Sequence, residues 1–389
     1  MWDLEWKVPV NPKERYQSML VGPIERFDQR DEMFKRRRYE PEWQKRSAPF
    51  YNDRLRDKPG YTQEYHALVD ASWYVEDVFA KGCLGSNHRG LYAWESLREE
   101  PIPGPKVEAP PEEMTRMVKS AARFFGAALV GVCELDRRWL YARVSNDVTG
   151  EHLPQPLPED LRYAVALAVE MDYEFMQTAP TGGAGAATGL GYSKMAFVAG
   201  LLAEFIRGLG YRAAPSGNDT ALSIPIAVEA GLGELGRNGL LITEKYGPRV
   251  RLAQVFTDLP LVPDEPYFFG VEEFCRICKK CAQHCPSRAI TFGEQTTEGP
   301  SRSNNPGVRK WYINPEQCYK FWIANRLDCA TCIRVCPFNQ PPGRLHDAVR
   351  AVIKRASWLH PIILRFGDLL GYGKQRPPES VWSWEVGDW

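Results

Sequence analysis

The sequence carries no charge excess of either sign, with 49 Lys and Arg residues against 49 Asp and Glu. A chain built around nucleic acid shows a basic surplus that neutralises phosphates, so nucleic acid is not expected as a partner. No apolar run reaches the roughly 18 residues that a membrane-crossing helix needs. The N-terminus is charged and aromatic, unlike an export signal. Nucleotide-binding loops are missing as well. Gly231, Gly233 and Gly236 satisfy G-x-G-x-x-G but follow a helical pattern instead of a strand, with no βαβ unit around them. Residues 181–192 hold Gly182, Gly183, Gly185, Gly189 and Gly191 without the G-K-[ST] ending of a phosphate-binding loop. Glycines in that stretch are expected to let backbone pass close to a large flat ligand.

Cysteine, by contrast, is present in a pattern. Cys275, Cys278, Cys281 and Cys285, followed by Pro286, read C-x2-C-x2-C-x3-C-P. In such a run three closely spaced thiolates wrap one [4Fe–4S] cube and the fourth reaches a second. Cys329, Cys332 and Cys336, followed by Pro337, repeat the motif without its first cysteine, and Arg326 stands in that place. Cys318, upstream, can supply the missing thiolate. The expected ligand sets are Cys275, Cys278, Cys281 and Cys336 for one cluster, and Cys285, Cys318, Cys329 and Cys332 for the other. Structural zinc is the competing reading, although zinc knuckles rarely carry such a run with a matching partner downstream. Cys83 and Cys133 are left over, and their small or apolar neighbours point to packing.

Two clusters occupy a small part of a 389-residue chain, and a hydrophobic content of 44 % gives ample core for a globular protein of two or three units. Residues 1–112, rich in Pro, Arg and aromatics, read as an N-terminal wrapping unit. Within it the basic run 35–38 reads as a solvated surface, and the five prolines of 101–111 as a linker or wrapping arm. Residues 113–269 read as a core of helices alternating with short strands. Met114, Met117, Val118, Ala121, Phe124 and Phe125 sit at helical spacing before Gly126, and 127–133 reads as a buried strand. Residues 161–176 read as a second helix, and Met195, Val198, Leu202, Phe205 and Leu209 mark a third. Ser223 and Pro225 read as the cap and first turn of a fourth, and 251–256 as a strand. Residues 270–345 form the iron–sulfur module, and 346–389 a tail that packs back on the core.

A ferredoxin needs only the module, so the remaining residues imply a second redox centre. Here the sequence resembles a known family. Tyr192, the run 215–225 (PSGNDTALSIP), the run 231–239 (GLGELGRNG) and the run 247–251 (GPRVR) resemble the catalytic subunit of the respiratory reductive dehalogenases. The cysteine pattern with its displaced Cys318 is similar too. The resemblance spans residues 115–345 well and the N-terminal third loosely. It implies an α+β fold: a nitroreductase-like cobalamin-binding core with a C-terminal ferredoxin-like 2[4Fe–4S] module. It implies cleavage of an organohalide, R–X + 2e− + H+ giving R–H + X−, at a corrinoid cobalt fed by the two clusters. The D-x-H-x-x-G signature that supplies a lower histidine ligand is absent, so the implied corrinoid, cobalamin or a variant, is base-off.

The same resemblance assigns catalytic residues. Tyr192 is the implied proton donor, Arg251 the guanidinium expected to lower its pKa, and Asn218 an amide that orients substrate or holds halide. Ser216, Gly217, Gly233, Gly236 and Arg237 are expected around the corrinoid's nucleotide tail. Thr188, Trp322, Trp43 and Tyr51 are expected to line an apolar substrate pocket. Without the family, each of these reads as ordinary packing or surface. Implied partners are an electron donor, either a quinone-linked chain or a ferredoxin- or flavodoxin-type protein, and a small membrane anchor protein. Implied placement is the extracytoplasmic membrane face after twin-arginine export, or the cytoplasm where no signal exists. Two rivals remain: an epoxyqueuosine-reductase-like corrinoid enzyme acting on tRNA, which would need a basic surface and a catalytic Asp, and an electron-transfer subunit without a corrinoid.

Overall fold

The computed structural model describes residues 11–80, 100–145, 150–341 and 343–383, apart from the side chains of 51, 52 and 78–80. Cys83 and the Tyr51 side chain lie outside the described residues.

Four strands, β1 (Leu129–Glu134), β2 (Tyr163–Glu170), β3 (Ala213–Ser216) and β4 (Val250–Thr257), build an antiparallel sheet in the order β1-β2-β4-β3. Along β2 large and small side chains alternate. Val165, Leu167 and Val169 enter one core, whereas Ala164, Ala166 and Ala168 enter the other. The first core is closed by helices α2 (Pro111–Phe124) and α3 (Gly182–Gly208), and helix α1 (Gln63–Ala80) packs along the outside of α3. The alanine face accepts α4 (Ser223–Glu229), and the approach is close: a Cβ on Gly131 would stand 2.0 Å from the Ala230 carbonyl oxygen. Burial on both faces explains why β2 differs from the helix expected over 161–176. A short run apolar on both sides has no helical or strand period to read, and its valines suit the centre of a sheet.

A second difference concerns α3. The glycine-rich stretch and the expected third helix are one continuous helix of 27 residues. Its glycines do not face a flat ligand but admit neighbouring elements. A Cβ on Gly189 would lie 2.4 Å from Trp73 of α1, one on Gly182 2.7 Å from Tyr65, and one on Gly191 2.9 Å from Arg251 of β4. Glycine costs helix stability of about 1 kcal/mol per residue, and the side-chain volume it removes is taken up by those neighbours. By length and composition alone α3 could cross a membrane, yet 61 % of its most apolar window is buried between α1 and the sheet.

The proline arm and the tail both wrap this core. Ile102 and Val107 donate backbone N–H groups to Arg207 and Leu209 at the end of α3, at 3.0 and 2.9 Å. At the other end, Arg376 N–H bonds to Gln177 O and the Gln375 amide to Thr178 O, both at 3.1 Å, while Trp382 meets Tyr65 with ring centroids 5.4 Å apart.

A candidate redox and catalytic site

The two cysteine runs fold as a structural repeat. Lys279 after Cys278 and Ala330 after Cys329 both take the left-handed conformation at φ 51°. Each then starts a four-residue helix, Lys280–Gln283 and Thr331–Arg334, carrying Cys281 and Cys332. The cysteines gather close to one another. Burial raises the Cys336 thiol, and Cys275, Cys278 and Cys281 lie close enough to raise it further. These four line one small cavity. Burial likewise raises Cys332, with Cys329, Cys318 and Cys285 among its electrostatic neighbours. Cys318 is pushed up to about 12 by burial and then by Cys329 and Cys285. Among the described residues no three His, Cys, Asp or Glu side chains converge tightly enough for a single metal ion. Sulfurs around tetrahedral zinc stand about 3.8 Å apart, and thiolates at the corners of a cube stand further apart. Arg326 replaces a ligand without imitating one: it ends the helix Pro315–Asn325 at φ 63° and pairs with Asp53 at 2.7 Å, while Cys318 comes from within that helix. Cys133 is buried, with its sulfur 3.7 Å from Ile226 O, and packs as expected.

The catalytic candidates meet where α3 crosses the end of β4. Tyr192 and Thr188 lie one turn apart on α3, and Arg251 reaches them from β4 through the space left by Gly191. The Arg251 guanidinium carbon lies 4.9 Å from the Tyr192 ring centroid, and its Nη2 donates to Thr188 Oγ1 at 3.3 Å. Asn218, in the loop after β3, donates its amide to Tyr192 Oη at 2.9 Å. Its own Oδ1 accepts from Ser223 Oγ at 3.0 Å. Ser223 therefore does not cap α4 as its sequence suggests; Leu222 holds the cap position. Among the described residues no acceptor takes the phenolic proton of Tyr192. The tyrosine pKa also differs from expectation, because burial raises it and the Arg251 charge only partly offsets that rise.

Two contributors carry no signal in the sequence. Trp73 of α1 stacks on Tyr192 with centroids 4.7 Å apart and planes 24° apart. Asp328, immediately before Cys329, has its pKa raised by burial, opposed by the Arg251 charge and a hydrogen bond from Thr188. It connects the tyrosine site to the second cysteine set. The expected pocket aromatics Trp43 and Trp322 pack into one cluster with Tyr319. Trp322 meets Phe34 at 5.4 Å and Phe50 at 6.5 Å, and Trp43 meets Tyr319 at 6.1 Å. The Trp322 side chain also hydrogen-bonds the Cys318 thiol.

A cavity of about 380 Å³ opens beside Asn218. Its walls include Trp139, Tyr141, Leu222, Ile224, Phe268 and Trp311. Neutral amides of Asn218, Gln295, Asn304 and Asn305 interrupt those walls, and no histidine is among the described residues lining them. Flat apolar walls with scattered amides suit a macrocycle bearing a fringe of amides. Residues expected around the nucleotide tail also make contacts within the protein, and the hairpin that carries Gly233 and Gly236 contributes Glu234, Leu235 and Gly239 to the cavity wall. A Cβ on Gly233 would lie 2.1 Å from Ile242 O, and one on Gly236 2.8 Å from the Ile242 side chain, so both glycines serve a tight hairpin. Ser216 is buried and bonds Gly217 O at 3.1 Å, and a Cβ on Gly217 would touch Met195 at 3.2 Å. Arg237 turns to the cysteine module, donating to Cys275 O, Thr291 O and Gly293 O at 2.9–3.0 Å beneath the Trp311 ring.

Comparison with known proteins bears on this arrangement. The 4Fe-4S dicluster domain family matches residues 274–340, and the reductive dehalogenase subunit family matches residues 143–261. The tetrachloroethene reductive dehalogenase of Desulfitobacterium hafniense is 39 % identical over 76 % of this chain and 61 % of its own length. That of Sulfurospirillum multivorans is also 39 % identical, over 71 % and 60 %. The chain thus spans about 60 % of these curated relatives. The solved structure of the catabolic reductive dehalogenase NpRdhA shares the fold, with a TM-score of 0.71 at 23 % identity over 92 % of this chain and 48 % of that one. Epoxyqueuosine reductase of Listeria monocytogenes is 33 % identical, but over only 30 % of this chain. The dehalogenase match takes in the helix and strand that carry Tyr192 and Arg251 and the loop that carries Asn218, the dicluster match takes in the paired cysteine repeats, and over these segments the chain is similar to the reductive dehalogenases.

Proposed function

We propose that this chain reduces an organohalide, R–X + 2e− + H+ giving R–H + X−, with a base-off corrinoid in the cavity beside Asn218 and two [4Fe–4S] clusters on the paired cysteine sets. A corrinoid bound there supplies the low-valent cobalt needed to break a carbon–halogen bond. The chain's own residues supply the proton. The observation that carries this reading is the hydrogen-bonding of Tyr192: its oxygen accepts from Asn218, and its proton has no acceptor among the described residues. Burial keeps the phenol protonated at neutral pH. When the proton leaves, the Arg251 guanidinium beside the ring stabilises the phenolate, and guanidinium stays charged when buried. Trp73 and Asn218 fix the phenol from its face and its edge.

The core is read as nitroreductase-like, in units 1–112, 113–269, 270–345 and 346–389. An electron donor and a small membrane anchor protein are read as partners, and the extracytoplasmic membrane face as the location; family likeness supports these assignments. Electrons are read as reaching the corrinoid through the two cysteine sets. Anaerobic reconstitution with a corrinoid, followed by halide-release assays on chloroethenes, chloroalkanes and halogenated aromatics, tests the function. Halide release dependent on both corrinoid and reductant is expected. Absence of corrinoid binding would leave an electron-transfer subunit.

A further inference from the structure

Among the described residues lining the 380 Å³ cavity, Lys310 is the one basic side chain. The three acids of that lining are engaged elsewhere. Glu234 accepts backbone N–H groups of Phe269 and Val271, Glu272 pairs with Arg15 and Arg276, and Glu32 accepts the backbone N–H of Lys35. No ion pair among the described residues involves Lys310. Its ammonium instead lies 4.6 Å from the Tyr312 ring centroid. That ring is held by its hydroxyl, within 2.9–3.1 Å of the carbonyls of Thr297, Asn305 and Val308. The Lys310 backbone is pinned by a reciprocal pair of bonds with Thr296 at 2.9 and 3.0 Å. Burial alone, with no acid to oppose it, pulls the lysine down to about 8. Lys310 is half-buried at the cavity wall, and an ammonium drawn out of water there is costly without a counter-ion.

The missing partner is thus a single negative charge on a large, otherwise neutral ligand. A complete corrinoid has that charge pattern: its peripheral acids are amides, and one phosphodiester joins the ring's side chain to the nucleotide base. We propose that Lys310 binds this phosphodiester and gives the chain its preference for complete corrinoids over truncated ones. The inference rests on the corrinoid reading above. It deepens that reading by naming the residue that recognises the nucleotide loop.

The test compares cobalamin with cobinamide, which lacks both phosphodiester and base. Apoprotein carrying both clusters is titrated anaerobically with each, following absorbance, for wild type, Lys310→Gln and Lys310→Arg. Iron content is checked first, so that misfolded variants are set aside. A charge-assisted hydrogen bond is worth about 1.5–3 kcal/mol, so Lys310→Gln should weaken cobalamin binding by about 10- to 100-fold. Its affinity for cobinamide should be unchanged, and Lys310→Arg should stay within a few-fold of wild type for both. Equal loss for both corrinoids, or loss for neither, overturns the assignment while leaving the corrinoid reading intact. Lys310-dependent binding of inorganic phosphate alone, without discrimination between the corrinoids, would identify a free anion as the ligand and also overturn it. A cluster-loaded wild type that binds neither corrinoid would remove the corrinoid reading and this assignment together.

Discussion

Asn218 gives an amide proton to the Tyr192 oxygen at 2.9 Å, which leaves the phenol's own proton directed at no acceptor among the described residues. This arrangement makes Tyr192→Phe informative, because it removes that proton and little volume. Clusters and corrinoid should load normally, while dehalogenation falls by about 10²-fold or more, as loss of general acid catalysis predicts. Arg251→Lys keeps a charge but loses the fork that reaches Thr188, and should leave intermediate activity. Halide release from loaded protein is the measurement. Near wild-type turnover by Tyr192→Phe would mean that solvent supplies the proton and Tyr192 only packs.

The glycines of α3 give a prediction opposite to helix propensity. Alanine normally stabilises a helix interior by about 1 kcal/mol relative to glycine. At Gly189 the added Cβ would stand 2.4 Å from the Trp73 ring. Overpacking costs about 1–3 kcal/mol, so Gly189→Ala should lower the unfolding midpoint and disturb the Trp73–Tyr192 stack. Gly104→Ala, where nothing lies within 4 Å, serves as the control and should change little. A Gly189→Ala protein more stable than wild type would show that α1 shifts at no cost.

How far the sequence reveals this site depends on the kind of signal. The cysteine sets were legible because ligand spacing is local, and the displaced Cys318 followed from a count of thiolates. Tyr192, Asn218 and Arg251 were legible only through family likeness, since their meeting depends on the crossing of α3 and β4, 26 and 59 residues apart along the chain by residue number. Trp73 and Asp328 left no mark, because neither stands in a motif. The same limit explains the errors. The strand β2 is apolar on both faces, so periodicity could not distinguish it from a helix. Glycines on α3 suggested a ligand, whereas the atoms that exclude a Cβ there belong to the protein itself.

The displaced ligand is testable by composition. Anaerobically purified protein should hold about eight iron and eight acid-labile sulfide per chain. Cys318→Ser should reduce this toward about four, because serine is a poor substitute for thiolate and only one cysteine set includes Cys318. Electron paramagnetic resonance of the reduced variant should then show the signal of the other cluster alone. Two intact clusters in Cys318→Ser would point to a different eighth ligand.

Glu229 offers a test of the buried core that does not depend on cofactors. Its carboxylate oxygen accepts from Tyr16 Oη and Trp139 Nε1, both at 2.7 Å. Burial raises its pKa from 4.5 to about 7, although those two hydrogen bonds oppose the rise. A carboxyl group whose folded pKa is raised contributes most below its unfolded value, and this contribution is lost as pH climbs through the folded value. Between pH 4.5 and 7, therefore, wild-type stability should decline by up to about 3 kcal/mol from this group. Glu229→Gln keeps an oxygen that can accept from both Tyr16 and Trp139 but cannot ionise. The variant should match wild type near pH 5 and exceed it at pH 8, as read from anaerobic denaturant unfolding at both values. Parallel stability curves for the two proteins across that range would show that Glu229 is ionised without penalty in the folded chain.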